Sequence, residues 1–157
     1  MKKTLVVLGI IALVASVSHA AMRAGVDVGG TPYLGFALNP DQTIDVGLTY
    51  TSQNDGNTTN LGLFGRFEGN FMKADKVDVY WYGLLGLASG KALGTTTTTI
   101  TITGGMGAEY NIAKNFSIYG NAALLTIQSM SNGGSQTNFG LVTGDWSAYS
   151  GLRIYLD

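Results

Sequence analysis

Apolar side chains recur at every second position through one stretch of this chain after another, and the charges fall on the positions between them. In Val77–Leu87, Val77, Val79, Trp81, Leu85 and Leu87 share one parity, while Asp78, Tyr80 and Tyr82 share the other. Side chains alternate across a β-strand, so each such stretch presents one greasy face and one polar face. The period of two sets the fold class as all-β.

Eight segments carry the pattern: about Met22–Gly29, Tyr33–Asn39, Thr43–Thr51, Thr59–Phe71, Lys76–Ser89, Thr96–Asn111, Asn115–Gln128 and Ser147–Leu156. Between them, Asn39-Pro40-Asp41-Gln42, Met72-Lys73-Ala74-Asp75 and Ile112-Ala113-Lys114 read as short turns. Ser52–Thr58, Gly90–Thr95 and Ser129–Trp146 read as longer loops rich in Gly, Asn, Ser and Thr. Gly30-Thr31-Pro32 is tight, and Pro32 marks a strand end because it cannot donate to a ladder. Short turns on one side and longer loops on the other are the pattern of bacterial outer-membrane barrels, with the loops outside the cell.

The N-terminus agrees with export. Lys2 and Lys3 precede an uncharged, mostly apolar run from Leu5 to Val17, then Ser18-His19-Ala20 before Ala21. A short basic region, an apolar core and small residues before the cut are what a secretory leader needs. The expected division is a signal peptide over 1–20 and one barrel domain over 21–157. Cleavage would remove the one histidine, His19, and the chain has no cysteine.

Composition closes off several chemistries. Without His or Cys, the mature chain can build no Ser–His triad, cysteine nucleophile or histidine-ligated zinc. No catalytic residue, metal ligand or cofactor-binding residue is expected, and the chain is read as a non-enzyme. Its mild acidity provides no basic stripe for nucleic acid.

Alternation alone does not say which face points outward, because a soluble barrel would show the same period. Strand length and the polar rows argue for a membrane. Val77–Leu87 spans about ten steps of about 3.3 Å, which at a tilt near 40° covers roughly 25 Å, the height of an outer apolar band. The polar rows carry Gly, Thr, Asn, Tyr and isolated charges, while Lys73, Lys76, Lys91 and Lys114 lie in turns, loops or at strand starts. Eight strands enclose an interior that side chains just fill. The expected architecture is an eight-stranded antiparallel up-and-down transmembrane β-barrel, monomeric, in contact with outer-membrane lipid, with both mature termini periplasmic.

Arg23, Asp27, Asp45, Arg66, Glu68, Asp78, Glu109 and Arg153 all fall on the polar parity, mostly near the short turns. Buried charges need partners, so these eight are expected to form a salt-bridge network that plugs the lumen. Phe139, Leu141, Val142 and Trp146 in the last loop are the candidates for contact with a partner or with the lipid interface. Gly104-Gly105-Met106-Gly107 superficially suggests a phosphate loop, but it sits within a strand, where glycines relieve crowding or bend the chain.

With the strands placed, the chain resembles the family of small outer-membrane β-barrel proteins that includes the transmembrane domain of outer membrane protein A. The likeness rests on Gly25–Pro32 running into Leu38-Asn39-Pro40 and Ile44–Leu48, on Gly107–Tyr119, and on Tyr149–Leu156. The resemblance implies that the barrel-assembly machinery reads the last strand through Gly151, Ile154 and Leu156, although the chain ends Tyr155-Leu156-Asp157 without a terminal aromatic. The expected role is structural or surface-binding; no peptidoglycan-binding domain is read after the last strand, so anchoring to the cell wall is not expected. A narrow channel for small or hydrophobic solutes is the alternative, and a soluble periplasmic barrel a third.

Overall fold

The computed structural model describes residues 21–27, 30–53, 58–92, 94–131, 135–141 and 150–156. Among them, nine strands and no helix form: β1 (Met22–Asp27), β2 (Pro32–Asn39), β3 (Gln42–Gln53), β4 (Thr58–Lys73), β5 (Val77–Ala92), β6 (Thr95–Ala113), β7 (Phe116–Ser131), β8 (Ser135–Leu141) and β9 (Gly151–Leu156). Each of β1 to β7 pairs antiparallel with the next. β8 pairs with the far half of β7, and β9 pairs with the near half of β7 and with β1. β8 and β9 are thus two pieces of one eighth stave, and the β1–β9 seam closes an eight-stranded antiparallel barrel. Closure leaves no free sheet edge at the seam, so its backbone groups find partners without help from solvent.

The inward and outward rows follow the sequence parity. Leu34, Leu48, Leu63, Leu85, Leu87, Ile100, Ile102, Ile118, Leu152 and Ile154 project outward and are exposed, whereas Arg66, Arg153, Glu68 and Asp45 are buried inside. Phe36 shares the outward row but is buried. Tyr80, Tyr82 and Leu84, with Phe64 packed against them, fill the middle of the lumen.

One end of the barrel is closed by tight turns. Asn39 Oδ1 accepts from the Asp41 amide at 2.9 Å, which sets the β2–β3 turn as Asx residues commonly do. Lys73, at the end of β4, reaches back to Asp41 Oδ1 at 3.0 Å, tying two turns together. At the other end the strands run on as hairpins instead of breaking into loops. Gly90–Thr95, expected as a loop, is mostly strand: β5 continues to Ala92, β6 resumes at Thr95, and Gly94 takes the left-handed conformation at φ 84°. β-branched threonines suit a pleated ladder, and polar composition alone does not distinguish a loop from a strand that rises beyond an apolar band. β3 similarly extends to Gln53, and the expected last loop contains β8. The described part of the first strand ends at Asp27 and that of the last begins at Gly151; the expected bounds at Gly29 and Ser147 fall outside the described residues. The leader, Val28, Gly29, Asn54–Asn57, Val142, Trp146 and Tyr149 lie outside the described residues.

A bulge shifts the phase of one strand. Gly104 faces Leu125 and Gly105 faces Ala123, so Leu124 has no partner across the ladder and the alternation of β7 changes phase there. Beyond it, Ile127 stands opposite the outward Ile102. Of the two glycines of β6 at the bulge, Gly105 is the one that the close packing requires. A Cβ on Gly105 would crowd the Ala122 carbonyl and lie 2.8 Å from the Tyr82 ring, whereas one on Gly104 meets nothing closer than 3.9 Å. We expect Gly105→Ala to destabilise the barrel by about 1–3 kcal/mol through overpacking, and Gly104→Ala to stay within about 0.5 kcal/mol. Urea unfolding in micelles, followed by tryptophan fluorescence, reads the difference.

Candidate functional site

Register brings the inward charges together. On the β3–β4 ladder Asp45 stands directly opposite Arg66, and on β1–β2 Arg23 stands opposite Gly35, which itself faces Asp45. With no side chain at Gly35, Arg23 lies across it and reaches Asp45 through two bonds, Nε to Oδ1 and Nη2 to Oδ2, both 2.9 Å. Arg66 donates to Asp45 Oδ2 from Nη2 at 2.7 Å and from Nε at 3.0 Å. Asp45 is therefore shared by two guanidiniums, and it is fully buried.

Glu68 is the hub. Arg23 Nη2 approaches Oε2 at 2.5 Å, Arg66 Nε approaches Oε1 at 3.0 Å, and Arg153 Nη2 donates to Oε1 from across the lumen. Arg153 also donates to Glu109 Oε2 through Nη1 and to the Tyr33 hydroxyl through Nε at 3.0 Å. Glu109 Oε1 accepts from the Ser117 and Tyr155 hydroxyls. Asp27 accepts from the Tyr119 hydroxyl, with Arg66 Nη1 3.6 Å away. Charged hydrogen bonds of this kind are the strong ones, and bidentate arginine pairs add fixed geometry.

Tyrosine rings enclose the guanidiniums. The Arg153 Cζ lies 3.9 Å from the centre of the Tyr119 ring and 5.4 Å from that of Tyr80. Arg66 lies 4.8 Å from Tyr33 and 5.1 Å from Tyr119. Aromatic faces attract cations and keep water away from them, strengthening every ion pair inside. These tyrosines were visible on the polar parity, but nothing in the sequence marked them as partners of arginine. The signal lay in register: Glu109 faces Tyr119 across β6–β7, and Arg23 faces Tyr155 across β1–β9.

Arg23, Asp27, Asp45, Arg66, Glu68, Glu109 and Arg153 meet in this cluster, and Asp78 does not. Asp78 is half-buried at the short-turn mouth, lining a polar vestibule of about 400 Å³ with Lys73, Asn111 and Lys114. Its place one residue from the strand start keeps it at that mouth, and it forms no ion pair with the arginines. The other candidates are distributed around the wall. Phe139 and Leu141 point outward from β8 and are exposed, while Val142 and Trp146 fall outside the described residues. In β9, Gly151 lies on the inward row, and Ile154 and Leu156 lie on the outward row. Among the described residues no cluster of acidic side chains is placed to hold a metal ion.

No known protein family, curated protein or solved structure matches the chain.

The chemistry of the cluster is that of a plug. Its carboxylates are engaged by guanidinium or hydroxyl donors, and rings fill the space around them. Removing one member leaves the others charged and unpaired. We expect Arg66→Ala to cost about 3–5 kcal/mol, whereas Asp78→Asn, at the mouth, should stay within about 0.5 kcal/mol. Equilibrium unfolding of the refolded barrel measures both; equal costs would remove the distinction drawn between cluster and mouth.

Proposed function

We propose that this chain is a small bacterial outer-membrane β-barrel, exported by a leader over 1–20, with a structural or surface-binding role and a lumen closed to solutes. The observation that carries the reading is the inversion of the barrel: seven charged side chains are buried inside it, and most of its large aliphatic side chains are exposed on the exterior. A soluble monomer seldom exposes contiguous apolar surface beyond a few hundred Å². Here the outward rows of successive strands form such a surface around the wall.

Aromatic placement supports the same reading. Phe67, Phe71, Trp81, Tyr110 and Phe116 sit on outward rows toward the short-turn end. Tyr50 and Phe139 sit toward the hairpin end and are 67% and 64% exposed. Phe71 and Leu61, the partner of Tyr50, are about ten residues apart along β4, which corresponds to roughly 25 Å at a strand tilt near 40°. Interfacial aromatics flanking an apolar band of that height are typical of barrels in lipid. The likeness to small outer-membrane barrels, with assembly read from Gly151, Ile154 and Leu156, belongs to this proposal. Short turns at one end and risen hairpins at the other favour termini on the periplasmic side.

The plug favours a closed lumen over the narrow-channel alternative, because a conducting path would have to disrupt the ion pairs on Glu68. Three measurements test the proposal. Envelope fractionation should recover the protein with the outer membrane, in a form whose gel mobility changes on heating. Planar-bilayer recordings should show no steady, reproducible conductance. Leu63→Arg, if Leu63 meets lipid near the midplane, should cost about 2–4 kcal/mol. Release from cells without detergent would overturn the membrane reading, and large stable openings would restore the channel.

A further inference from the structure

Beyond the plug, toward the hairpin end, the lumen opens into a cavity of about 360 Å³. Small-molecule sites occupy roughly 300–1,000 Å³ and combine apolar walls with a few placed polar groups. The lining of this one includes Phe64, Leu84, Gly86 and Ala88, the hydroxyl-bearing Thr49 and Thr101, and a single charged residue, Asp27.

The charge of the buried cluster gives Asp27 its significance. Three guanidiniums, Arg23, Arg66 and Arg153, face four carboxylates, Asp27, Asp45, Glu68 and Glu109. One negative charge is left over, and the geometry locates it. Asp45 has two close arginines, Glu68 has three, and Glu109 has Arg153 with two hydroxyls. Asp27 has the Tyr119 hydroxyl and a guanidinium nitrogen no closer than 3.6 Å, both at Oδ1. Arg66 Nη1, the nitrogen in that loose pair, has no hydrogen-bond partner. Arg66 itself does not line the cavity, so a molecule entering meets the carboxylate and not the guanidinium.

We infer that this cup binds a small organic cation, a primary ammonium on a short alkyl or aryl body. The ammonium would donate to Asp27 and the body would pack on Phe64, Leu84 and Ala88. A buried carboxylate whose one ion pair is as loose as 3.6 Å is under-compensated, and a cationic ligand supplies a closer partner. The apolar body contributes the burial that a bare metal cation or ammonium ion could not. The inference requires only the folded barrel, so it stands or falls separately from the membrane proposal.

The test uses three probes of one shape: benzylammonium, benzyl alcohol and phenylacetate, titrated into the barrel in zwitterionic nanodiscs. Methyl resonances of Leu84, Ala88, Thr49 and Thr101 report occupancy of the cup. Benzylammonium should bind saturably, the alcohol at least about tenfold more weakly, and phenylacetate not at all, since a charged hydrogen bond is worth about tenfold to a hundredfold. Asp27→Asn should lower benzylammonium affinity about tenfold or more while leaving the alcohol unchanged. Because Asp27 also touches the plug, a second variant avoids it: a Cβ on Gly86 meets nothing closer than 3.7 Å, so Gly86→Leu should fill the cup, keep the fold and abolish binding of every probe. No saturable shift, a preference for phenylacetate, or benzylammonium affinity that survives either substitution overturns the inference.

Discussion

Three arginines from three strands converge on the carboxylate of Glu68, and much of the barrel's interior is arranged around that meeting. Arg23 comes from β1, Arg66 from β4 and Arg153 from β9, so the hub ties the seam strands to the wall across the lumen. The seam ladder is short, with Met22–Asp27 paired to Leu156–Gly151. A register slip of one residue would turn Arg23 or Arg153 outward and leave Glu68 short of a partner. An uncompensated buried charge costs several kcal/mol, so the ion pairs specify closure as well as filling the lumen. Whether they add net stability over an apolar filling is a separate matter; their clearer contribution is to penalise wrong registers.

The two halves of the lumen divide along a gradient of side-chain size. Near the tight turns, inward positions carry arginine, glutamate and tyrosine, and the space is full. Toward the hairpins they become Thr, Gly, Ala and Asn, and the cup opens. Glycine allows the first half to be dense, because Tyr80 and Tyr82 lie over Gly107 and Gly105 on the next strand, where a Cβ would collide. Small inward residues produce both the packing of the plug and the vacancy above it.

Much of this was legible in the sequence because it depends on parity alone. Strand number and the division of each strand into an apolar row and a charged row follow from a period of two, read on segments such as Val77–Leu87; the inward facing of the charges follows once strand length and the make-up of the polar rows are added. What was hidden depends on pairing between strands. Leu124 could not be recognised as a bulge, since Ala122-Ala123-Leu124-Leu125 has no phase of its own without its partner strand. The Gly90-Lys91-Ala92 run is equally compatible with a loop and with the strand it forms. Asp78 shares its parity with Glu109 and stands opposite it, yet height along the barrel, not parity, excludes it from the cluster.

The same separation of parity from height bears on what the barrel can do. Parity places Asp78 and the seven buried charges inside, but height gathers the arginines at one level, and at that level they outweigh any single carboxylate around them. Asp27 ends β1, at the upper edge of this layer, where Arg66 is the one guanidinium within ion-pair distance. Lengthening β1 would carry its acid further from the arginines, and shortening it would draw Asp27 into the plug. The brevity of the β1–β2 hairpin, with Gly30 at its turn, therefore sets where the surplus negative charge sits. That position is at the floor of the open half of the lumen, where a molecule entering from the hairpin end would meet it.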